Sequence, residues 1–209
     1  MIADVVIVFG CPRSGTTYTA KVVSAMRSAF TSKLPEQRML HPCQTRKGLI
    51  DLTKWFRRNR LVLVRTVRDP MEVCESFEAL RTSADINEPV MSEYTDEDVL
   101  WWVRNESAYF NHQFQWLHDY APPHHRLVQI RYERLRTMQG RVNFAYDVTD
   151  GLEDPEDDYA RIMEAFARYE DTPVRHGRMS AGLGEVLTPE RRAWFREQLA
   201  DVIEREGYA

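Results

Sequence analysis

Between a β-branched run and a helix-forming stretch lies Gly10-Cys-Pro-Arg-Ser-Gly-Thr-Thr17, in which two glycines bracket one arginine and two threonines follow. Residues of these types at this spacing suit an anion. Successive backbone N–H groups at a helix start converge on one point, and the helix dipole favours negative charge there. Arg13 adds a permanent cation with a planar fork of donors, while Ser14, Thr16 and Thr17 add hydroxyls. Gly10 and Gly15 have the spacing of G-x-x-x-x-G-K-[ST], yet Thr16 stands where the phosphate lysine of that motif belongs. A phosphate is expected in the loop, held without that lysine. A second pair, Arg68 and Ser76, lies eight residues apart. An arginine leaving the carboxyl end of a strand and a serine two turns into the next helix can grip one phosphate from two sides.

The elements that must position these groups follow from pattern. Residues 4–9 form a continuous β-branched run ended by Gly10, which predicts a strand buried on both faces, as in a parallel sheet. Residues 16–30 read as a helix, 38–42 as a short strand, 49–59 as a helix, and 60–67 as a second buried strand stopped by Asp69-Pro70. This is a βαβ rhythm. Helices are expected over 72–83 and 96–120, a strand over 126–132, a solvated acidic loop over 147–158 running into a helix at 159–169, and a final helix capped by Thr188 and ending near Gly207. Trp101, Trp102, Tyr109, Phe110, Phe114 and Trp116 crowd the long helix and read as core contacts, with an acceptor pocket as the alternative. The pattern predicts one α/β domain over residues 1–209. It is a three-layer αβα arrangement with a mainly parallel central sheet of about four or five strands, P-loop NTPase-like.

Composition narrows the chemistry further. The 209 residues are 43% hydrophobic and 11% aromatic, enough for a substantial core, which argues against disorder. The 28 Lys and Arg are outweighed by 32 Asp and Glu, so no bulk cationic attraction to nucleic acid or to an anionic membrane is expected and any anion site must be local. Cys11, Cys43 and Cys74 give no disulfide framework and no zinc spacing, which fits a reducing cytoplasm. The first apolar run is too short for a secretory core or a membrane span. His124-His125 lacks companions at ligand spacing, and no metal is expected.

Pro12-Arg-Ser-Gly-Thr-Thr17 resembles the 5′-phosphosulfate loop of sulfotransferases that use 3′-phosphoadenosine 5′-phosphosulfate (PAPS), in its arginine form. The run from Arg60 to Ser76 resembles that family's 3′-phosphate segment. Ile130-Arg-Tyr-Glu-Arg-Leu135 is similar to its Tyr-Glu-x-Leu segment, Arg175-His-Gly177 to its late Arg-x-Gly segment, and the terminal Ala193–Tyr208 pattern to its last helix. The resemblance implies that Arg13, Ser14, Gly15, Thr16 and Thr17 hold the 5′-phosphate and sulfuryl group. It implies that Arg68, Ser76, Arg175 and Gly177 hold the 3′-phosphate, and that Tyr132 lies by the adenine. Sulfuryl transfer rests on positioning and charge neutralisation, for which Arg13 is the candidate, plus a general base for the acceptor proton. The family often places a histidine at the end of the strand after the first helix, which points to His41, with Glu36 as the second candidate.

The expected activity is transfer of the sulfuryl group from PAPS to an acceptor hydroxyl or amine, releasing 3′,5′-diphosphoadenosine (PAP). The acceptor is a small molecule or an exposed hydroxyl that the sequence does not specify. Two other readings compete. A catalytically silent module that binds PAP would keep Arg13, Arg68 and Ser76 while being indifferent to His41 and Glu36. A kinase with an aberrant loop would need a replacement for the lysine that Thr16 displaces.

Overall fold

The computed structural model describes residues 5–11, 13–29, 36–39, 61–82, 93–120, 125–149, 155–170 and 186–209. Four strands form one parallel sheet: β1 (Val5–Gly10), β2 (Glu36–Met39), β3 (Leu61–Val67) and β4 (Arg126–Arg131), in the order β2-β1-β3-β4. The helices are α1 (Thr16–Ala29), α2 (Pro70–Thr82), α3 (Asp96–Tyr120), α4 (Met138–Thr149), α5 (Pro155–Glu170), α6 (Pro189–Gln198) and α7 (Ala200–Arg205). A 3-10 turn over Tyr132–Arg136 joins β4 to α4.

Side chains alternate across a strand, and here both faces of the sheet are covered. Val6, Val8, Val62, Val64, Val128 and Ile130 pack with α1, α4 and α5 on one side. Ile7, Phe9 and Leu63 face the other side, against Phe110 and Leu117 of α3. There α2, α3, α6 and α7 share a further cluster that includes Phe77, Val103, Phe195 and Val202. The result is the expected three-layer αβα, P-loop NTPase-like fold. The central strands are buried on both faces, which is why β1 and the first four residues of β3 are apolar runs in the sequence.

Helix starts follow local chemistry. Asp69 caps α2, accepting from Met71 N at 2.8 Å, with Pro70 at the first helical position. Thr95 and Asp98 cap α3 reciprocally, Thr95 N donating to Asp98 Oδ2 at 2.8 Å and Asp98 N to Thr95 Oγ1 at 3.2 Å. Thr188 caps α6 through Arg191 N. Most aromatics of α3 are packed against the core, as expected, although Trp101 and Trp116 face outward.

Several boundaries differ from the sequence expectation. The short strand occupies 36–39 rather than 38–42, pairing Val5 to Val8 with Glu36 to Met39. The chain does not remain a loop up to 158: α4 runs to Thr149 and α5 starts at Pro155. The α4 helix escapes a periodicity reading because Gly140, Arg141 and Thr149 lie among its buried positions. The strand ends at Arg131, where the 3-10 turn takes over. The terminal helix divides at Leu199 into α6 and α7. The expected helix over 49–59, together with His41, Arg175 and Gly177, lies outside the described residues.

Candidate functional site

The two sequence motifs meet because β1 and β3 are neighbours in parallel register, with Gly10 opposite Thr66. The loop after β1 and the turn after β3 therefore leave the same edge of the sheet, side by side. A Cβ on Gly10 would sit 2.5 Å from Thr66 Oγ1 and 2.8 Å from Ser14 Oγ, so only glycine lets the loop fold this tightly onto β3. Thr66 Oγ1 donates to Phe9 O at 3.2 Å, which leaves the Ser14 hydroxyl to donate to Thr66 Oγ1 at 2.9 Å. Arg13 has φ 66° and Gly15 φ 91°. A non-glycine residue in the left-handed region is strained, and such strain clusters at ligand clamps. Gly15 also has the Tyr132 ring pressed against it; a Cβ there would meet Cδ2 and lie 2.5 Å from Cε2.

Arg13 does not stand alone over the loop. Its Nε donates to Ser76 Oγ at 2.9 Å, across 63 residues of sequence, and its carbonyl accepts from Arg68 Nη1 at 3.2 Å. Three residues singled out from two separate motifs thus touch. Ser14, Thr16 and Ser76 are buried, while Arg13, Gly15, Thr17 and Arg68 are half-buried.

Around Arg68 the structure adds partners that the sequence motifs did not supply. Glu72, one turn on, accepts from Arg68 Nε at 2.9 Å and pairs with its Nη2 at 2.9 Å. Arg136, from the 3-10 turn, donates to the same carboxylate through Nη1 at 2.9 Å and Nη2 at 2.5 Å. Both guanidinium groups lie over the Tyr132 ring, at 4.9 Å for Arg68 and 5.6 Å for Arg136. Burial pushes the Glu72 carboxyl up. The hydrogen bond from Arg136 and the charges of Arg68 and Arg136 outweigh it, leaving the carboxyl below its ordinary range. Glu72 pushes Arg136 up in turn.

The carboxyl end of the chain braces this turn. Glu133 accepts from Asp69 N at 2.9 Å through one oxygen and from the Tyr208 hydroxyl at 2.8 Å through the other. Arg131 lies over the Tyr208 ring at 4.8 Å and donates to Gly207 O at 2.8 Å. Beneath, Arg65 of β3 donates from Nη2 to both oxygens of Glu206 at 2.8 Å, and from Nη1 to Asn111 Oδ1 at 3.0 Å and Gln129 Oε1 at 2.9 Å. Ser107 Oγ donates to the same Glu206 at 2.6 Å. Burial pulls the Arg65 guanidinium down from its ordinary value, against the opposing pull of Glu206.

A small cavity at this sheet edge is lined by Cys11, Ser14, Arg65, Thr66, Arg68 and Ser107 among others. Burial raises the Cys11 thiol well above its usual range, with the negative charge of Glu106 next in weight, so Cys11 is not a thiolate nucleophile. Glu106 Oε2 is itself buried with no hydrogen-bond partner among the described residues, and burial raises that carboxyl.

The structure brings together Arg13, Ser14, Gly15, Thr16, Thr17, Arg68, Ser76 and Tyr132. Glu36 opens β2, and its side chain lies outside the described residues. Sequence reading missed Glu72, Arg136, Glu106 and the Arg65–Glu206 pair. The i,i+4 spacing of Arg68 and Glu72 was a usable signal for one of them. Among the described residues no group of three or more His, Cys, Asp or Glu is gathered as for a metal ion, and no helix is long and apolar enough to cross a membrane.

No family model matches the chain, and no curated protein matches it in sequence. Solved structures do match in fold. One is a mouse sulfotransferase, SULT7A1, solved in complex with PAP. It superposes with a TM-score of 0.60 at 13% identity, covering 96% of this chain and 84% of that one. The likeness establishes that this chain has the fold of a sulfotransferase.

Proposed function

We propose that this chain is a PAPS-dependent sulfotransferase, a single domain over residues 1–209 acting in a reducing, cytoplasmic compartment on a small or exposed acceptor hydroxyl or amine. The observation that carries the reading is the contact of the two anion motifs at adjacent strand ends: Arg13 Nε on Ser76 Oγ, and Arg68 Nη1 on Arg13 O. One nucleotide with phosphates at both ends fits such a site. The glycine cradle and the convergent N–H groups after β1 fit the 5′-phosphosulfate, and Arg68 and Ser76 fit the 3′-phosphate.

PAPS supplies the sulfuryl group. The chain's own residues hold it: Ser14, Gly15, Thr16 and Thr17 through backbone and hydroxyl donors, and Arg13 by neutralising charge that grows on the sulfuryl oxygens. Tyr132 remains our candidate neighbour for the adenine, and its ring also carries the Arg68 and Arg136 guanidinium groups. Arg175 and Gly177 complete the 3′-phosphate site by resemblance. For the acceptor proton we keep His41 first and Glu36 second. Residue 41 follows the carboxyl end of β2, which is parallel to β1 and so ends on the loop's side of the sheet.

Calorimetric titration with PAP, ADP and magnesium-ATP tests the reading. PAP should bind tightest, and without magnesium. Arg68→Ala should weaken PAP by about 2–4 kcal/mol, as for a lost buried charge partner, and ADP far less. Turnover of PAPS with an acceptor panel then separates an enzyme from a silent PAP-binding module. Preference for magnesium-ATP, or equal losses for PAP and ADP, would refute the assignment.

A further inference from the structure

The Arg68–Glu72–Arg136 cluster has a feature that the proposed reaction does not require. Three of the five N–H groups of Arg68 are engaged: Nε and one on Nη2 by Glu72, and one on Nη1 by Arg13 O. A phosphate can take the Nε–Nη2 edge only if Glu72 yields. The Arg13 carbonyl belongs to the strained loop backbone, whereas Glu72 is a side-chain carboxylate on a flexible stem, and its side chain is 24% exposed. Glu72 is also, among the described residues, the acceptor that Arg136 grips with both terminal nitrogens. Two guanidinium groups thus close on one monoanion. This is the arrangement a phosphate would take over, since it carries more charge and three acceptor oxygens.

We propose that Glu72 is an internal counter-anion which occupies Arg68 and Arg136 until the 3′-phosphate displaces it, making Arg136 a second arginine for that phosphate. The proposal rests on the sulfotransferase reading and goes beyond it by assigning these two residues. The cluster carries two positive charges and one negative. Without nucleotide Glu72 offsets one of the two positive charges, and a nucleotide lacking the 3′-phosphate leaves Glu72 in place. Selectivity for the 3′-phosphorylated nucleotide then comes from a competition at the site as well as from contact. The alternative is that Glu72 holds Arg68 in position for the ligand. The two roles predict opposite signs.

Wild type, Glu72→Gln, Arg136→Gln and Arg136→Lys are titrated with PAP and with ADP at fixed low salt, with far-UV circular dichroism and ADP binding as controls for folding. Glu72→Gln should tighten PAP about threefold to tenfold and shift ADP less than about twofold. Arg136→Gln should weaken PAP by about tenfold or more, Arg136→Lys by less, and neither should move ADP appreciably. Weaker PAP binding in Glu72→Gln overturns the proposal in favour of a positioning role. Unchanged PAP binding in Arg136→Gln, with Arg68→Ala still selective against PAP, overturns it while the nucleotide reading stands. A wild-type protein that does not distinguish PAP from ADP overturns both.

Discussion

Replacing Glu206 by methionine should cost this protein about 3–5 kcal/mol. The figure follows from the surroundings of Arg65, whose side chain is 4% exposed, as is that of Glu206. Among the described residues Glu206 provides the only anion in hydrogen-bond contact with that guanidinium, both oxygens accepting from Nη2. Once it is gone, Arg65 keeps two neutral acceptors, Asn111 and Gln129, and its Nε has no partner among the described residues. Breaking a buried pair in this way leaves an uncompensated charge, worth about 3–5 kcal/mol. At about 2–4 °C per kcal/mol for a chain of this size, Tm should fall by about 6–20 °C. Arg65→Met should cost somewhat less, because Glu206 would retain the hydroxyl of Ser107 at 2.6 Å and the Arg205 guanidinium at 3.9 Å. The double variant should recover most of the loss and lie within about 1–2 kcal/mol of wild type, because an apolar pair replaces both charges together. Urea denaturation of the four proteins gives the coupling energy. Single variants costing under about 1 kcal/mol, or a double variant that merely sums them, would refute the reasoning.

Three further outcomes are expected. Gly15→Ala should abolish nucleotide binding and destabilise by about 2 kcal/mol or more, since its Cβ would run into the Tyr132 ring at a φ of 91°; calorimetry and denaturation read the two effects, and a fully binding variant would contradict the packing. Tyr208→Phe should cost about 1.5 kcal/mol by removing the hydroxyl that donates to the Glu133 carboxylate, without changing PAP selectivity; urea titration checks the first part and calorimetry the second. Glu106→Gln should raise Tm at neutral pH. Burial raises that carboxyl in the folded chain, so its ionised form opposes folding. The penalty is absent at low pH, where both states are protonated, and grows as pH rises from the ordinary glutamate value through the folded one. The gain in Tm should therefore vanish near pH 4, and a gain that persists there would point to packing instead of charge.

How much of this was legible in the sequence depended on how local the information was. β1 and the first half of β3 could be read because burial on both faces demands a continuous apolar run, and the loop could be read because glycine, arginine and threonine at a strand-to-helix junction have few other uses. The α4 helix was not legible, since its buried side includes Arg141, whose Nε donates to Leu135 O, and Gly140, where any side chain would collide with the Arg134 backbone. Polar and small residues in the interior erase the period that pattern reading needs. Arg136 was hidden for a different reason: its partner is 64 residues away, and only the fold of β3 beside β4 brings them together. Arg65 lies inside the strand that the pattern predicts, but nothing local names its partner, Glu206, which is 141 residues away.

The pairing of Gly10 with Thr66 has a consequence for how this architecture can change. Neighbouring strands stand about 4.8 Å apart, a spacing set by peptide hydrogen bonds and not by side-chain choice. The two proposed anion grips hang from those strand ends like the jaws of a caliper fixed by the backbone. The gap is fixed by the pairing of β1 with β3, whereas the loop over 11–15 and the start of α1 are part of one grip. Segments inserted or exchanged beyond α1 and before β3 would leave the spacing of the two strand ends unaltered and change only what is presented to it.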